Sequence, residues 1–226
     1  MHVGLIGGIG PAATEFYYRG LTRAFAVAGR KLELTIVNAE VREMTANMAA
    51  NDPKAQATIF AELIGRLKAA GAKAAAVTSM GGHFCIEQLK AISPLPLINA
   101  IPELNDQFGR MGVKRIGILG SGAVMRSKFY GGVTSVEIAA PEGPDLDEVH
   151  ARYVAMATAA VATDDDRRFF LEAGQKLVER QGAEVIVLSG TDLFLAFDGA
   201  RPAYRIADAA EIHIGAIVRA AMQDVS

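Results

Sequence analysis

The chain has 226 residues, 51% of them apolar, enough to bury a substantial core as one large or two small domains. Its 23 basic and 25 acidic residues are well mixed and leave a formal charge of −2, which gives no electrostatic footprint for nucleic acid and no polybasic run for an anionic membrane. A small-molecule ligand is favoured, and the single cysteine, Cys85, excludes an intramolecular disulfide and a zinc site built on several thiolates.

Residues 2–7 read as a first strand that begins without the charged head, apolar stretch and cleavage site of a signal peptide. No apolar segment reaches the length of a membrane span, so a cytoplasmic location is expected. A helix should begin near Pro11, where proline costs no hydrogen bond, and run through Phe16, Tyr17 and Leu21. Phe16, Tyr17 and Tyr18 suit packing or a subunit contact. Residues 33–38 read as a strand. Asp52-Pro53 then opens a helix with Ala57, Phe60, Leu63, Ile64 and Leu67 at helical spacing, ending at Gly71. A strand at 73–78 leads through Gly81-Gly82 into a helix holding Ile86 and Leu89, and Pro94–Ile98 enters another short strand. A helix at 101–111 stops near Gly112. Strands follow at 114–120 and 134–139. The acidic stretch 141–147 reads as a loop into a helix at 147–162. Asp164-Asp165-Asp166 marks the start of a helix running to about 181, where carboxylates suit the macrodipole. A strand at 184–189 and a helix at 206–223 complete the chain.

This alternation of short apolar runs and helical segments is the pattern of a parallel-sheet α/β fold. Two pairs of segments also match each other. Gly71-Ala72-Lys73-Ala74-Ala75-Ala76-Val77-Thr78-Ser79 resembles Gly182-Ala183-Glu184-Val185-Ile186-Val187-Leu188-Ser189-Gly190, and Val3-Gly4-Leu5-Ile6-Gly7 resembles Ile116-Gly117-Ile118-Leu119-Gly120. Such self-similarity implies two similar α/β halves facing a cleft, and it pairs Ser79 with Gly190.

The opening Gly7-Gly8-Ile9-Gly10-Pro11-Ala12-Ala13-Thr14 resembles the N-terminal signature of the aspartate/glutamate racemase family. That resemblance implies two pseudo-symmetric, Rossmann-like α/β lobes with an inter-lobe cleft, a loop at 38–45 after the second strand and a helix start at 126–132. The lobes are expected at 1–100, joined by the C-terminal helix at about 206–226, and at 101–205. It further implies an isomerase that needs no cofactor and no metal, binds a small carboxylate or amino acid, and forms a homodimer. Cofactor-independent members carry one catalytic cysteine in each half. The segments similar to the two cysteine motifs are Thr78-Ser79-Met80-Gly81-Gly82-His83 and Ser189-Gly190-Thr191-Asp192, so serine and glycine stand where the thiols would be.

Racemisation at Cα needs a base on one face and an acid on the other, with pKa values able to exchange protons near neutrality. Gly190 has no side chain to do either, and a two-thiol transfer is ruled out. Ser79, His83 and Asp192 are the catalytic candidates. Ser79 is either a hydrogen-bond donor to the substrate or a base activated by a neighbour. His83 either orients its loop or transfers a proton. Asp192 holds a substrate ammonium, acts as a base, or caps a helix. Gly8, Gly10 and Pro11 open a strand-to-helix turn that is either an anion site for a carboxylate or a plain turn; the Gly-x-Gly-x-x-Gly dinucleotide spacing is absent. Met80, Gly81, Gly190 and Thr191 complete the two motifs. Arg42, two residues before Met44, and Ser121, Arg126 and Ser127 in the second half are further substrate-binding candidates, with Lys128 as a surface cation. Asp208 and His213 resemble the family's acid and histidine opening the last helix, a structural pair. Cys85 lies six residues beyond the first thiol position, where a buried, inert role is expected. A decarboxylase or lyase on the same scaffold, needing a base on one face only, and a non-catalytic binding protein are the alternatives to an isomerase.

Overall fold

Strand β1 (Val3–Gly7) lies between β2 (Leu34–Asn38) and β3 (Ala74–Val77) in a parallel three-stranded sheet of the computed structural model, which describes residues 1–223. Every residue of β1 and β3 is buried, which is why both read as unbroken apolar runs. β2 is the edge strand and is only partly covered. Helices α1 (Pro11–Val27), α2 (Val41–Ala49), α3 (Pro53–Ala69) and α4 (Ile86–Ile92) follow these strands in chain order. The core beneath them gathers Ile6, Phe60, Ile64, Leu67, Val77 and Leu89.

After α5 (Ala100–Arg110), a second parallel sheet has four strands in the order β5-β4-β6-β7: β4 (Arg115–Leu119), β5 (Glu137–Ala139), β6 (Val185–Leu188) and β7 (Arg205–Asp208). Its helices are α6 (Gly122–Ser127), α7 (Gly143–Ala159), α8 (Asp164–Gln181) and the short α9 (Phe194–Phe197). α10 (Ala209–Gln223) ends the described chain. Two compact units result, one of Met1–Ala100 with the residues from His213 onward, the other of Ile101–Ile212. The fold is thus α/β with two parallel-sheet cores, as the alternating pattern requires.

The internal repeat has a packing cause. A Cβ on Gly4 would lie 2.8 Å from Leu67 Cδ1, and one on Gly117 would lie 3.1 Å from Leu177 Cβ, so each central strand uses glycine to let a helix approach closely. The helices that make these approaches, α3 and α8, both turn into the next strand through a glycine with positive φ, +99° at Gly71 and +68° at Gly182. Residues with a side chain rarely adopt those angles.

Several elements differ from the expectation. Residues 41–49 form α2 rather than a loop, because the Glu40 side chain accepts the Arg42 N–H at the N-terminus and Met44 is buried beneath it. Pro94–Ile98 makes only a single bridge, Leu97 to Ala75, since Pro94 and Pro96 lack the N–H groups that a longer ladder needs. α7 starts four residues early, with Pro144 in its first turn. In place of a helix start at 126–132, α6 ends at Ser127 and Lys128, Phe129, Tyr130 and Gly131 all adopt positive φ. Phe129 anchors that left-handed turn by burying its ring against Phe108. Residues 205–208 form β7 instead of the first turn of the last helix, and Asp208 ends the strand and caps α10 through the N–H of Ala210 at 2.7 Å.

Candidate functional site

In open parallel sheets ligands gather beyond the carboxyl ends of the strands. In the first unit, Thr78 follows β3, and its N–H and Oγ1 both donate to the Ile6 carbonyl, at 3.1 and 3.0 Å. In the second, Ser189 follows β6 and does the same to Leu119, at 2.8 and 2.7 Å. These two frames share both bonds, the second adding the Gly190 N–H to Leu119 O at 3.1 Å, and the next residue in each is Ser79 or Gly190. The pairing inferred from the repeat therefore has a geometric basis.

Ser79 is 7% exposed, and its Oγ accepts the Gly82 N–H at 3.4 Å. His83, which shares its loop, does not activate that hydroxyl. Its Nδ1 donates to the Ser79 carbonyl oxygen at 2.7 Å, and its Nε2 faces the Ala100 N–H at 3.4 Å, an arrangement that fits one neutral tautomer. Burial drives its pKa down to about 4. His83 is a strut that fixes the loop. A second buried histidine, His213, stands edge-on to it with ring centroids 5.9 Å apart. His213 Nδ1 accepts the Tyr17 hydroxyl and its Nε2 donates to Ile98 O, and burial followed by repulsion from His83 takes its pKa to about 3.

Gly81 lies against Ser79, and a Cβ there would be 3.5 Å from Ser79 Oγ, 3.8 Å from Met48 Cε and 3.9 Å from Met44 Cε. α2 thus supplies two methionines beside Gly81. Arg42, two residues before Met44 on that helix, has a side chain 90% exposed and paired with Glu40 at 3.3 Å, so it is not brought to Ser79. At the turn after β1, Gly8 adopts a φ of +85°, and its N–H donates to Thr14 Oγ1 at 3.0 Å, which in turn donates to Gly10 O. That N–H is already engaged within the turn, and Pro11 has none. Met80 is buried at the start of the loop. Cys85 is fully buried, donates to the Gly82 carbonyl at 3.4 Å, and burial pushes its thiol up to about 12. It is inert at neutral pH.

In the second unit the strand-end residues Thr191 and Asp192 are each 2% exposed. Asp192 lies just before Leu193, the N-cap residue of α9, which makes no side-chain cap bond, and its Oδ2 accepts the Tyr153 hydroxyl at 3.2 Å. Tyr153, on α7, was not among the sequence candidates. A Cβ on Gly190 would lie 2.7 Å from Tyr153 Cζ and 2.9 Å from Cδ2, and closer still to Cε2. The phenol ring fills the place a side chain at 190 would take. Burial and the Asp192 charge raise the phenol's pKa well above its ordinary value, and contacts with Thr191 and the Asp192 backbone pull the other way.

The β4 end borders the same place, since a Cβ on Gly120 would lie 2.6 Å from Gly190 N. Ser121 caps α6 by accepting the Val124 N–H, and the Gly122 N–H reaches His150 Nδ1 at 3.1 Å. Arg126 overhangs Gly122, with Cζ 3.1 Å from the place of its Cβ, and pairs with Asp147 at 3.1 Å; both side chains are exposed. The His150 pKa is lowered, by burial first and then by Arg126. Ser127 is committed to the backbone: its hydroxyl donates to Ala123 O at 2.6 Å and accepts the Tyr130 N–H that closes the left-handed turn. On the neighbouring strand, Asp208 stands in register with Leu188, and burial raises its pKa to about 7. Surface depressions along α7 and α8, including one of about 370 Å³ beside Arg126 and Lys128, are lined by none of Ser189, Gly190, Asp192 or Tyr153. Among the described residues no group of three His, Cys, Asp or Glu side chains is placed to hold a metal ion, and no helix is long and apolar enough to cross a membrane.

Comparison with known proteins gives the same architecture. The family model described as Asp/Glu/hydantoin racemase matches residues 6–217. A candidate Asp/Glu racemase from Yersinia pestis superposes with a TM-score of 0.83 at 24% identity, over 99% of this chain and 100% of that one. An aspartate racemase homologue from Pyrococcus horikoshii gives 0.78 at 22% identity, over 97% and 98%. A glutamate racemase from Francisella tularensis in complex with D-glutamate gives 0.70 at 12% identity, over 99% and 81%.

Proposed function

Because the chain belongs to the Asp/Glu/hydantoin racemase family, we propose that it is an isomerase-type enzyme that moves the Cα proton of a small amino or carboxylic acid without thiol chemistry. The observation that carries this reading is the pair of equivalent strand-end frames, which hold Ser79 at one thiol position and a tyrosine-filled glycine at the other. Ser79 serves as a donor to the substrate carboxylate, because His83 is turned to the Ser79 carbonyl rather than its hydroxyl and a serine without an activating base is a poor proton acceptor. His83 holds the loop in place. Asp192 is the proton acceptor, a buried carboxylate already oriented by a hydrogen bond. The homodimer implied by the resemblance and the cytoplasmic location expected from the sequence belong to the same proposal.

The Tyr153 ring also favours a second reading. With the position-190 slot filled, proton transfer confined to one face becomes natural, as in a decarboxylase or lyase.

Proton NMR in deuterium oxide decides between them. L- and D-aspartate, L- and D-glutamate and a panel of related carboxylic acids are incubated with the protein, and loss of the Cα–H signal is followed together with optical rotation. Racemisation with exchange supports the isomerase; exchange with retained configuration, or loss of carbon dioxide, supports the second reading. Ser79→Ala should raise KM roughly tenfold, the loss of one charge-assisted hydrogen bond, and leave kcat within a few-fold. A kcat near zero in that variant would make Ser79 the base and overturn its assignment as a binding group.

A further inference from the structure

We infer that Tyr153 is the positioning residue of this site, its ring closing the space of the missing second side chain and its hydroxyl holding the Asp192 carboxylate as proton acceptor. The inference rests on the assignment of the strand-end residues as the reacting site and adds to it a residue from α7 that neither cysteine motif contains.

Three observations converge on it. The ring coincides with the place of a residue-190 side chain, with Cζ 2.7 Å from the Cβ position. The hydroxyl donates to Asp192 Oδ2 at 3.2 Å. Asp192 itself is 2% exposed, so its orientation is decided by protein groups rather than by water. A carboxylate that accepts a hydrogen bond is favoured in its charged form, the form that can take a proton. In the forward step the Asp192 carboxylate accepts the Cα proton, and the C–H electron pair passes into the substrate's enolate. Return of that proton from Asp192 to the same face of Cα regenerates the carboxylate with retained configuration; inversion takes its proton at the opposite face from water, and the hydroxide left then removes the proton from Asp192. The Tyr153 proton stays on the phenol throughout, because burial and the Asp192 charge oppose phenolate formation.

Tyr153→Phe keeps the ring in its slot and removes only the hydroxyl. It should lower kcat at least tenfold with KM within twofold, and shift the acidic limb of the kcat/KM pH profile upward. In 13C NMR titrations, with the signal assigned by its loss in Asp192→Asn, the Asp192 carboxyl pKa should also rise in Tyr153→Phe, a readout independent of turnover. An unchanged Asp192 pKa overturns the inference, whether or not the protein is active. A raised pKa in a protein that exchanges no Cα–H leaves Tyr153 holding Asp192 and overturns the functional reading instead. The slot is checked separately by melting temperature: Gly190→Ala should lower it by several degrees beside Tyr153 and by clearly less beside Tyr153→Ala. Equal losses in both backgrounds would show that the ring does not occupy the slot and would overturn that half of the inference.

Discussion

Acid should weaken the first unit through its two buried histidines. His83 and His213 have both ring nitrogens engaged and sit at pKa values of about 4 and about 3, below the ordinary 6.5, because burial penalises their charged forms. The unfolded chain therefore binds protons that the folded chain refuses between pH 6.5 and about 4, and stability falls as pH drops through that window. Lowering the pH from 7 to 5 should cost about 2 kcal/mol for each histidine, or about 4 kcal/mol as an upper bound for the pair. Because Asp208 has the opposite pH dependence, the measurement belongs in the Asp208→Asn variant, where asparagine keeps the cap on α10. Urea unfolding followed by far-UV circular dichroism at pH 8, 7, 6 and 5 gives the curve. Stability that is flat between pH 7 and 5 would refute the picture of two histidines locked neutral.

Asp208 itself, raised to about 7 from 3.8 by burial, is expected to lower stability as pH rises through the range from 4 to 7. Since the residue is partly exposed, Asp208→Asn should gain about 1–2 kcal/mol at pH 8 and almost nothing at pH 4, read from the same urea curves. Gly82→Ala should cost about 1–3 kcal/mol, because its Cβ would lie 2.8 Å from Val77 Cγ1. Gly81→Ala, with no atom nearer than 3.5 Å, should leave the melting temperature within a degree or so while weakening substrate binding through its new methyl beside Ser79 Oγ. Lys128→Gly should raise stability by up to about 1 kcal/mol by relieving a left-handed backbone at φ 48°, and a clear loss in thermal denaturation would contradict that.

The parallel sheets were legible because buried strands and amphipathic helices carry different periods, and the glycines of the repeat marked where helices close on strands. α2 was missed although Val41, Met44 and Met48 recur at helical spacing, because the segment is short and polar apart from them. β7 was missed because a four-residue strand running directly into a helix leaves no turn signal between them. Within the site, Ser79, Gly190 and Asp192 could be named from their neighbours along the chain. Tyr153 could not, since a tyrosine inside α7 looks like any packing aromatic until the fold lays its ring over Gly190. The available signal was indirect: a glycine where a side chain is expected implies that some other group fills the space.

The central claim, Cα–H chemistry without a thiol, is tested most directly in a chain that contains no cysteine at all. Cys85→Ala removes the one thiol of the chain, whose pKa of about 12 already withholds the thiolate at neutral pH. The account predicts that this variant exchanges the Cα–H of its substrate into deuterium oxide at the wild-type rate, and that Asp192→Asn in the same background does not. Loss of exchange in a correctly folded Cys85→Ala protein would place a thiol back in the mechanism and contradict the account.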